Sequence, residues 1–295
     1  MSRRLVDRVL VGTLWIVWVL LAVVGGRAVG AALANHSRAV QLTGTVGAWI
    51  GWGLGALAMV IAAERTLTAT RVLVPGALAV TLAVAAEGSA RAVDTIVLGG
   101  LAALATTIAV SGELGQVFVQ ASAYGDERRF PLRPPFGYLA VAVFAWLVFA
   151  AAWMSGPLLL AAQAWVAGVV VTALAVVATV FLPARWHRLS RRWLVLVPAG
   201  VVIHDPLVLA DTVMVRAHHV VAMSLAPADT GAADLTGPAT GTAVEIEVRE
   251  AAKVVFAPTP RQPGGRGIHA TAMLVAPSRP GATLRAAAER HLPVG

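Results

Sequence analysis

Three acidic and basic residues first suggest chemistry. Glu87, Arg91 and Asp94 stand at i, i+4 and i+7. On one helix that spacing sets two carboxylates about one guanidinium on a single face. Such a set suits an ion pair that closes two helix ends, or a ligand-facing cluster. Ser111-Gly112-Glu113-Leu114-Gly115 loosely matches the serine segment of an intramembrane protease, but no histidine falls in an apolar run to act as its base. His204, Asp205, Asp211, His218 and His219 are metal-ligating types. However, Asp205-Pro206 reads as a turn, and adjacent histidines on a strand point to opposite faces. No nucleophile elbow, zinc-binding helix, phosphate-binding loop or dinucleotide fingerprint is present. There is no cysteine, so thiolate chemistry is excluded. No catalytic residue, metal or cofactor is expected.

The elements that would position these residues are mostly membrane helices. Of 295 residues, 58% are hydrophobic and 13% charged, against roughly 25% charged in a soluble domain. Mean hydropathy is +0.77. A soluble fold this apolar could not cover its surface. The net charge of +8 is almost wholly arginine, Lys253 being the only lysine. The arginines sit beside apolar runs, where topology and anionic lipid account for them. No nucleic-acid reading motif accompanies the charge, so nucleic acid is not an expected partner.

Crossing the hydrocarbon core takes about 20 apolar residues in a helix. Six runs are expected to do so: Val9–Gly26, Leu42–Ala63, Val72–Ala86, Thr95–Gly112, Phe136–Ser155 and Pro157–Leu182. The third is short and holds Pro75-Gly76; it reads as a full span if Arg71 snorkels, or else as a re-entrant pair with the fourth. The last two are parted only by Gly156 and should form a tight hairpin. With the N-terminus inside, 12 arginines flank the spans on the cytoplasmic side and 3 (Arg27, Arg38 and Arg91) on the other. That asymmetry predicts a multi-pass plasma (inner) membrane protein with both termini cytoplasmic. The first run is expected to remain as an anchor, since Arg27 precedes the only cleavage-like site and five spans follow.

None of these run cores holds an ionisable side chain, which argues against a coupled transporter. Gln163, expected in the sixth span, is the most polar group at depth and reads as an interhelical hydrogen-bonding residue. Gly47, Gly51 and Gly55 repeat every fourth position and should form a packing face, either within the bundle or between copies. The loop from Glu113 to Pro135 carries Asp126-Glu127-Arg128-Arg129 and Arg133. It reads as a solvated anchor, with docking against the tail or the headgroups as the alternative.

Beyond residue 182 the composition changes. Arg185, Arg188, Arg191 and Arg192, with Trp186 and Trp193, form a basic juxtamembrane stretch expected to contact the lipid surface. Short strands follow: Trp193–Val197, Val201–His204, Leu207–Ala210, Thr212–Arg216, Val220–Leu225, Val244–Val248, Lys253–Ala257 and Ile268–Ala276. Residues 226–242 and 261–267 read as loops. Ser278 and Pro280 open a helix to about His291, with Leu284 and Ala288 on its inner face. Residues from about Arg191 to Gly295 are expected to fold alone.

This run of about seven strands closed by a helix resembles the pleckstrin-homology-like domains of bacterial membrane proteins. The whole chain resembles actinobacterial polytopic membrane proteins bearing such a tail. The resemblance implies a small barrel or bent sheet with a helix across one end. Such domains bind headgroups, peptides or copies of themselves, and rarely catalyse. The expected organisation is therefore a six-helix transmembrane bundle (1–182), a basic linker (183–192) and a cytoplasmic, mainly-β domain (193–295). The expected function is a non-enzymatic scaffold, sensor or complex-assembly protein. Its expected partners are the anionic inner leaflet and a second copy or another membrane protein. The alternative is a permease or channel component for an uncharged or lipidic solute.

Overall fold

A computed structural model describes residues 3–259 and 262–295, with the side chains of Arg3 and Arg4 outside the description. The expected basic start therefore lies largely outside the described residues, as does the start of the expected loop at 261–267. The chain forms two compact units: residues up to Gly115 with Ala142–Arg185, and Gln116–Val141 with Trp186–Gly295.

The first unit is helical. Helix α1 (Arg3–Leu33) is followed by α2 (Arg38–Val60), α3 (Glu64–Leu73), α4 (Gly76–Glu87) and α5 (Ala92–Val110). Helix α6 (Gly112–Ala121) leads into the second unit, and α7 (Phe136–Ala161) and α8 (Trp165–Ser190) complete the helices before the tail. Six segments are long and apolar enough to cross a membrane, α3 and α4 counting as one of 24 residues, Glu64–Glu87. That length, about 36 Å at 1.5 Å per residue, exceeds the hydrocarbon core. The third segment thus begins eight positions earlier than its apolar run and takes in Arg71.

Proline explains why α3 and α4 are separate. Pro75 has no N–H to continue the ladder. In hydrocarbon each backbone group left over by such a break needs a partner. Trp146 of α7 provides one, its Nε1 donating to the Val72 carbonyl at 2.8 Å. Arg71 caps another end: its guanidinium donates to the carbonyls of Ala109 and Ser111 (3.4 and 3.5 Å), where α5 stops. The span cores are therefore not free of ionisable groups, because Arg71 lies within the third.

Helices α1 and α2 are joined by a reciprocal pair of bonds. Trp18 Nε1 donates to the Trp52 carbonyl at 3.1 Å, and Trp52 Nε1 to the Trp18 carbonyl at 2.8 Å. The Trp18 ring lies against Gly55, where a Cβ would stand 2.3 Å from the ring. Gly55 is buried. Gly47 and Gly51 are exposed, and a Cβ added at either would meet nothing within 4 Å. The glycine face is thus used at one position of three within this chain.

Gln163 is not at membrane depth. It sits in the turn between α7 and α8, with φ +65°. Helix α7 runs straight through Gly156 and Pro157 to Ala161. It then closes with Ala164 N–H donating to Leu159 O and Gln163 N–H to Leu160 O. This is the glycine-type helix stop, built here on glutamine.

The second unit is two four-stranded sheets about one core. The first contains β1 (Arg128–Pro131), β2 (Trp193–Val197), β3 (Gly200–His204) and β4 (Val213–Arg216), in that order and antiparallel. The second contains β5 (Val220–Leu225), β6 (Ala233–Asp234), β7 (Val244–Phe256) and β8 (Arg266–Val275), in the order β5-β7-β8-β6. The sheets do not close into a barrel. Inward residues such as Leu194, Leu196, Ile203, Ile246 and Met273, none more than 1% exposed, form the core. Helix α9 (Pro280–Glu289) covers it with Thr283, Ala286 and Ala287 rather than Ala288, which is exposed.

Three strand expectations change. Leu207–Ala210 is a turn with one bridge, Leu209 to Phe256. The two strands expected between Val244 and Ala257 are one, bent by a bulge between Glu247 and Ala252. The loop before α7 is not merely a solvated anchor: residues 128–131 are β1, paired to β2 from Arg128↔Leu196 to Pro131↔Trp193.

Replacing Gly55 by Ala forces the Trp18 ring to move, and overpacking of this kind costs about 1–3 kcal/mol. The melting temperature in detergent should fall by several degrees for Gly55→Ala and stay unchanged for Gly51→Leu at monomeric protein concentrations. A second experiment addresses the sheet. A fragment of residues 193–295 lacks β1 and should not melt cooperatively. Residues 116–135 joined by a short glycine-serine linker to 186–295 should do so, as followed by circular dichroism.

Candidate functional site

The site develops where α8 passes into β2. Along β2, positions of one parity face the core, so Arg192 shares the inward face of Leu194 and Leu196. It is 1% exposed. Burying a guanidinium is costly unless it is paired and fully hydrogen-bonded. Here Nε donates to Asp205 Oδ1 at 2.7 Å and an Nη to Oδ2 at 2.6 Å, a bidentate pair. The other Nη donates to the Arg133 carbonyl at 2.6 Å, and a longer bond of 3.4 Å reaches the Thr236 carbonyl. Asp205 Oδ1 also accepts from the N–H groups of Leu207 and Val208 (3.1 and 3.3 Å). That bonding turns the chain at Pro206 and explains why Leu207–Ala210 is not a strand. One guanidinium thus holds the segment before α7, the start of β2, the turn after β3 and the loop after β6.

Of the six residues expected on the lipid surface, Arg192 is therefore not one. Trp186 and Trp193 are also buried, at 7% and 8% exposure. Arg185, Arg188 and Arg191 are exposed, and Arg188 donates to the Pro206 carbonyl at 3.0 Å. Nearby, Arg133 donates to the Thr242 carbonyl, and loss of water holds its guanidinium pKa below the usual arginine value. The Glu87, Arg91 and Asp94 face does not form. Gly88, at φ +68°, ends α4, and Arg91 begins α5 and pairs with Asp94 at 2.8 Å, while Glu87 lies 3.9 Å from His36.

The outward face of the first sheet carries an open groove of about 280 Å³. Its floor is Trp193, Val195 and Val197 of β2 with Val202 and His204 of β3. The His204 ring stacks on Trp193, centroids 5.0 Å apart and planes at 27°. His204 Nδ1 is 3.1 Å from Thr212 Oγ1. On the rim, Arg129 lies over the Trp193 ring at 5.4 Å and is held by Glu127 at 3.0 Å. Arg191 completes the rim.

The outer edge of β1 is sealed by side chains. Gln120 donates to the Glu127 carbonyl at 2.8 Å and accepts from Arg129 N–H at 3.0 Å, and Gln116 donates to the Arg129 carbonyl. Two glutamines of α6 thus stand in for a neighbouring strand. At the other end of the loop, Arg290 grips Asp126 at 2.7 Å. The metal-ligating types stay apart: among the described residues no three could share an ion.

Sequence reasoning misses the Arg192–Asp205 pair although its signal is present. The hairpin turns at Pro198-Ala199, so Trp193 faces His204, and the next positions outward are Arg192 and Asp205. Compared with protein-family models, curated proteins and solved structures, the chain matches none.

Removing one partner of a buried pair leaves the other charge uncompensated, at a cost of about 3–5 kcal/mol. Asp205→Ala and Arg192→Met should each lower the melting temperature sharply. The double change Arg192→Met with Asp205→Leu should recover much of that loss. An additive double variant would show that the pair contributes no coupling.

Proposed function

We propose that this chain is a non-enzymatic membrane scaffold or sensor, with a pleckstrin-homology-like unit on the cytoplasmic leaflet of the plasma membrane. The observation that carries this reading is the β1–β2 ladder. Its two strands flank α7 and α8 in the chain, so in sequence the helical hairpin is an insertion within the first sheet. The order of elements, a four-strand meander, a second sheet and a terminal helix, supports the pleckstrin-homology-like assignment. The excess of arginine at the ends of the spans supports placing that unit, and both termini, inside. Exposed Arg185, Arg188 and Arg191 support attraction to an anionic leaflet. A second copy or another membrane protein is the partner class that a scaffold of this kind would assemble. The interruption of the third span lends little to a permease, because Trp146 already occupies its Val72 carbonyl.

The absence of native cysteine makes the arrangement directly testable. Single-cysteine variants Ser89→Cys, Ala123→Cys and Gly295→Cys are treated in intact cells with a membrane-impermeant maleimide. Ser89→Cys should label from outside, and the other two only after permeabilisation. External labelling at position 123 or 295 would overturn the cytoplasmic placement.

A further inference from the structure

Two prolines stand inside the helices of the α7–α8 hairpin, Pro157 and Pro183. Neither has an N–H, so each leaves the carbonyl four positions earlier, that of Trp153 or Thr179, without its ladder donor. In hydrocarbon such a carbonyl needs another partner. In α7 a donor is at hand: Thr172 Oγ1, buried and without a hydrogen-bond partner, stands 2.6 Å from where a Gly156 Cβ would be. In α8 the neighbouring side chains are engaged elsewhere. Trp153 Nε1, which reaches this level, donates at 3.0 Å to the Thr179 hydroxyl rather than to the carbonyl. The hydroxyl in turn donates at 2.8 Å to Ala175 O, which the Thr179 N–H already serves along the helix.

Thr179 thus carries a donor in surplus and an acceptor in want. Geometry keeps them apart, because a threonine hydroxyl in a helix reaches back to carbonyls three or four positions earlier and not forward to its own. The residue is exposed, on one face with exposed Val176 at i−3 and exposed Pro183 at i+4. The chain itself covers little of this hairpin: in α7 only Gly156 is buried among the described residues.

We propose that the Val176–Thr179–Pro183 face of α8 is the contact between two copies of this chain in the bilayer. Copies inserted the same way are related by a two-fold axis along the membrane normal, which brings like residues together at one depth. The Thr179 hydroxyl of each copy then donates to the Thr179 carbonyl of the other, closing two reciprocal bonds. A second copy is the occupant because donor and acceptor lie on the same residue, whereas a lipid chain brings neither. This deepens the reading of the chain as a scaffold that assembles with a second copy, and rests on it. The two can fail separately, because association is measured in vesicles whatever the orientation, and maleimide labelling reports orientation alone.

The test uses the full chain in liposomes of phosphatidylcholine, with single cysteines placed in the cysteine-free background. Under mild oxidation Val176→Cys should give a disulfide-linked dimer, and Leu174→Cys, exposed on the opposite face of α8, should not. Energy transfer between fluorophore-labelled copies gives the dissociation constant. Pro183→Ala returns an N–H to the Thr179 carbonyl, so it should weaken association about tenfold while the melting temperature holds or rises. Thr179→Val should weaken association to the same degree, and Thr179→Ser, which keeps the hydroxyl, should associate as the parent does. Unchanged association of Pro183→Ala would mean that the freed carbonyl is not the contact and would overturn the proposal. Equal cross-linking at positions 174 and 176, or a chain that stays monomeric in the bilayer, would overturn it as well.

Discussion

A buried guanidinium at the start of β2 sets the terms for the second unit. Arg192 follows α8 by two positions and meets Asp205 in a bidentate pair that water does not reach. The Arg133 carbonyl, three positions before α7, accepts from the same group. Within the second unit, the segment around Arg133 and the register of the first sheet are therefore held by one side chain. Such a pair adds little net stability over an apolar substitute, but it penalises every arrangement in which one partner is buried without the other. Its main effect is on specificity: β2 cannot slip by a residue without withdrawing Arg192 from Asp205 and turning Leu194 and Leu196 out of the core.

The membrane helices are legible in the sequence because length and apolarity alone define them. Their ends are less so. Proline and glycine mislead twice. Gly156 and Pro157 look like a turn, yet in α7 they continue the helix, and the turn falls on Gln163, a residue with no preference for the left-handed region. Pro75 suggests a short third span, yet helix resumes on both sides of it. A residue's propensity is a weak guide where neighbouring helices supply partners for the backbone.

In the tail, strands with clear alternation or clear turns are legible, including Trp193–Val197, Val201–His204 and Val220–Leu225. What escapes a local reading is long-range. Arg128–Pro131 has no strand signature of its own; it is a strand because β2 offers an open edge and Gln116 and Gln120 occupy the other side. The arginines at the membrane end look like one class, since local sequence does not separate an exposed Arg191 from a buried Arg192. Strand parity does separate them, once the hairpin is counted outward from its turn.

The pairing of β1 with β2 also imposes an order of events during synthesis. Arg128 and its partner Leu196 are about 68 residues apart. At 5–20 residues per second, β1 leaves the ribosome several seconds before β2 exists. All of α7 and α8 must be made in that interval. During the wait β1 already has company, because Gln116 and Gln120 precede it in the chain and can cover one edge. The first sheet can close only after α8 has been made and β2 follows it. The Arg192–Asp205 pair, by contrast, lies wholly after α8 and can form as soon as β2 and β3 are made.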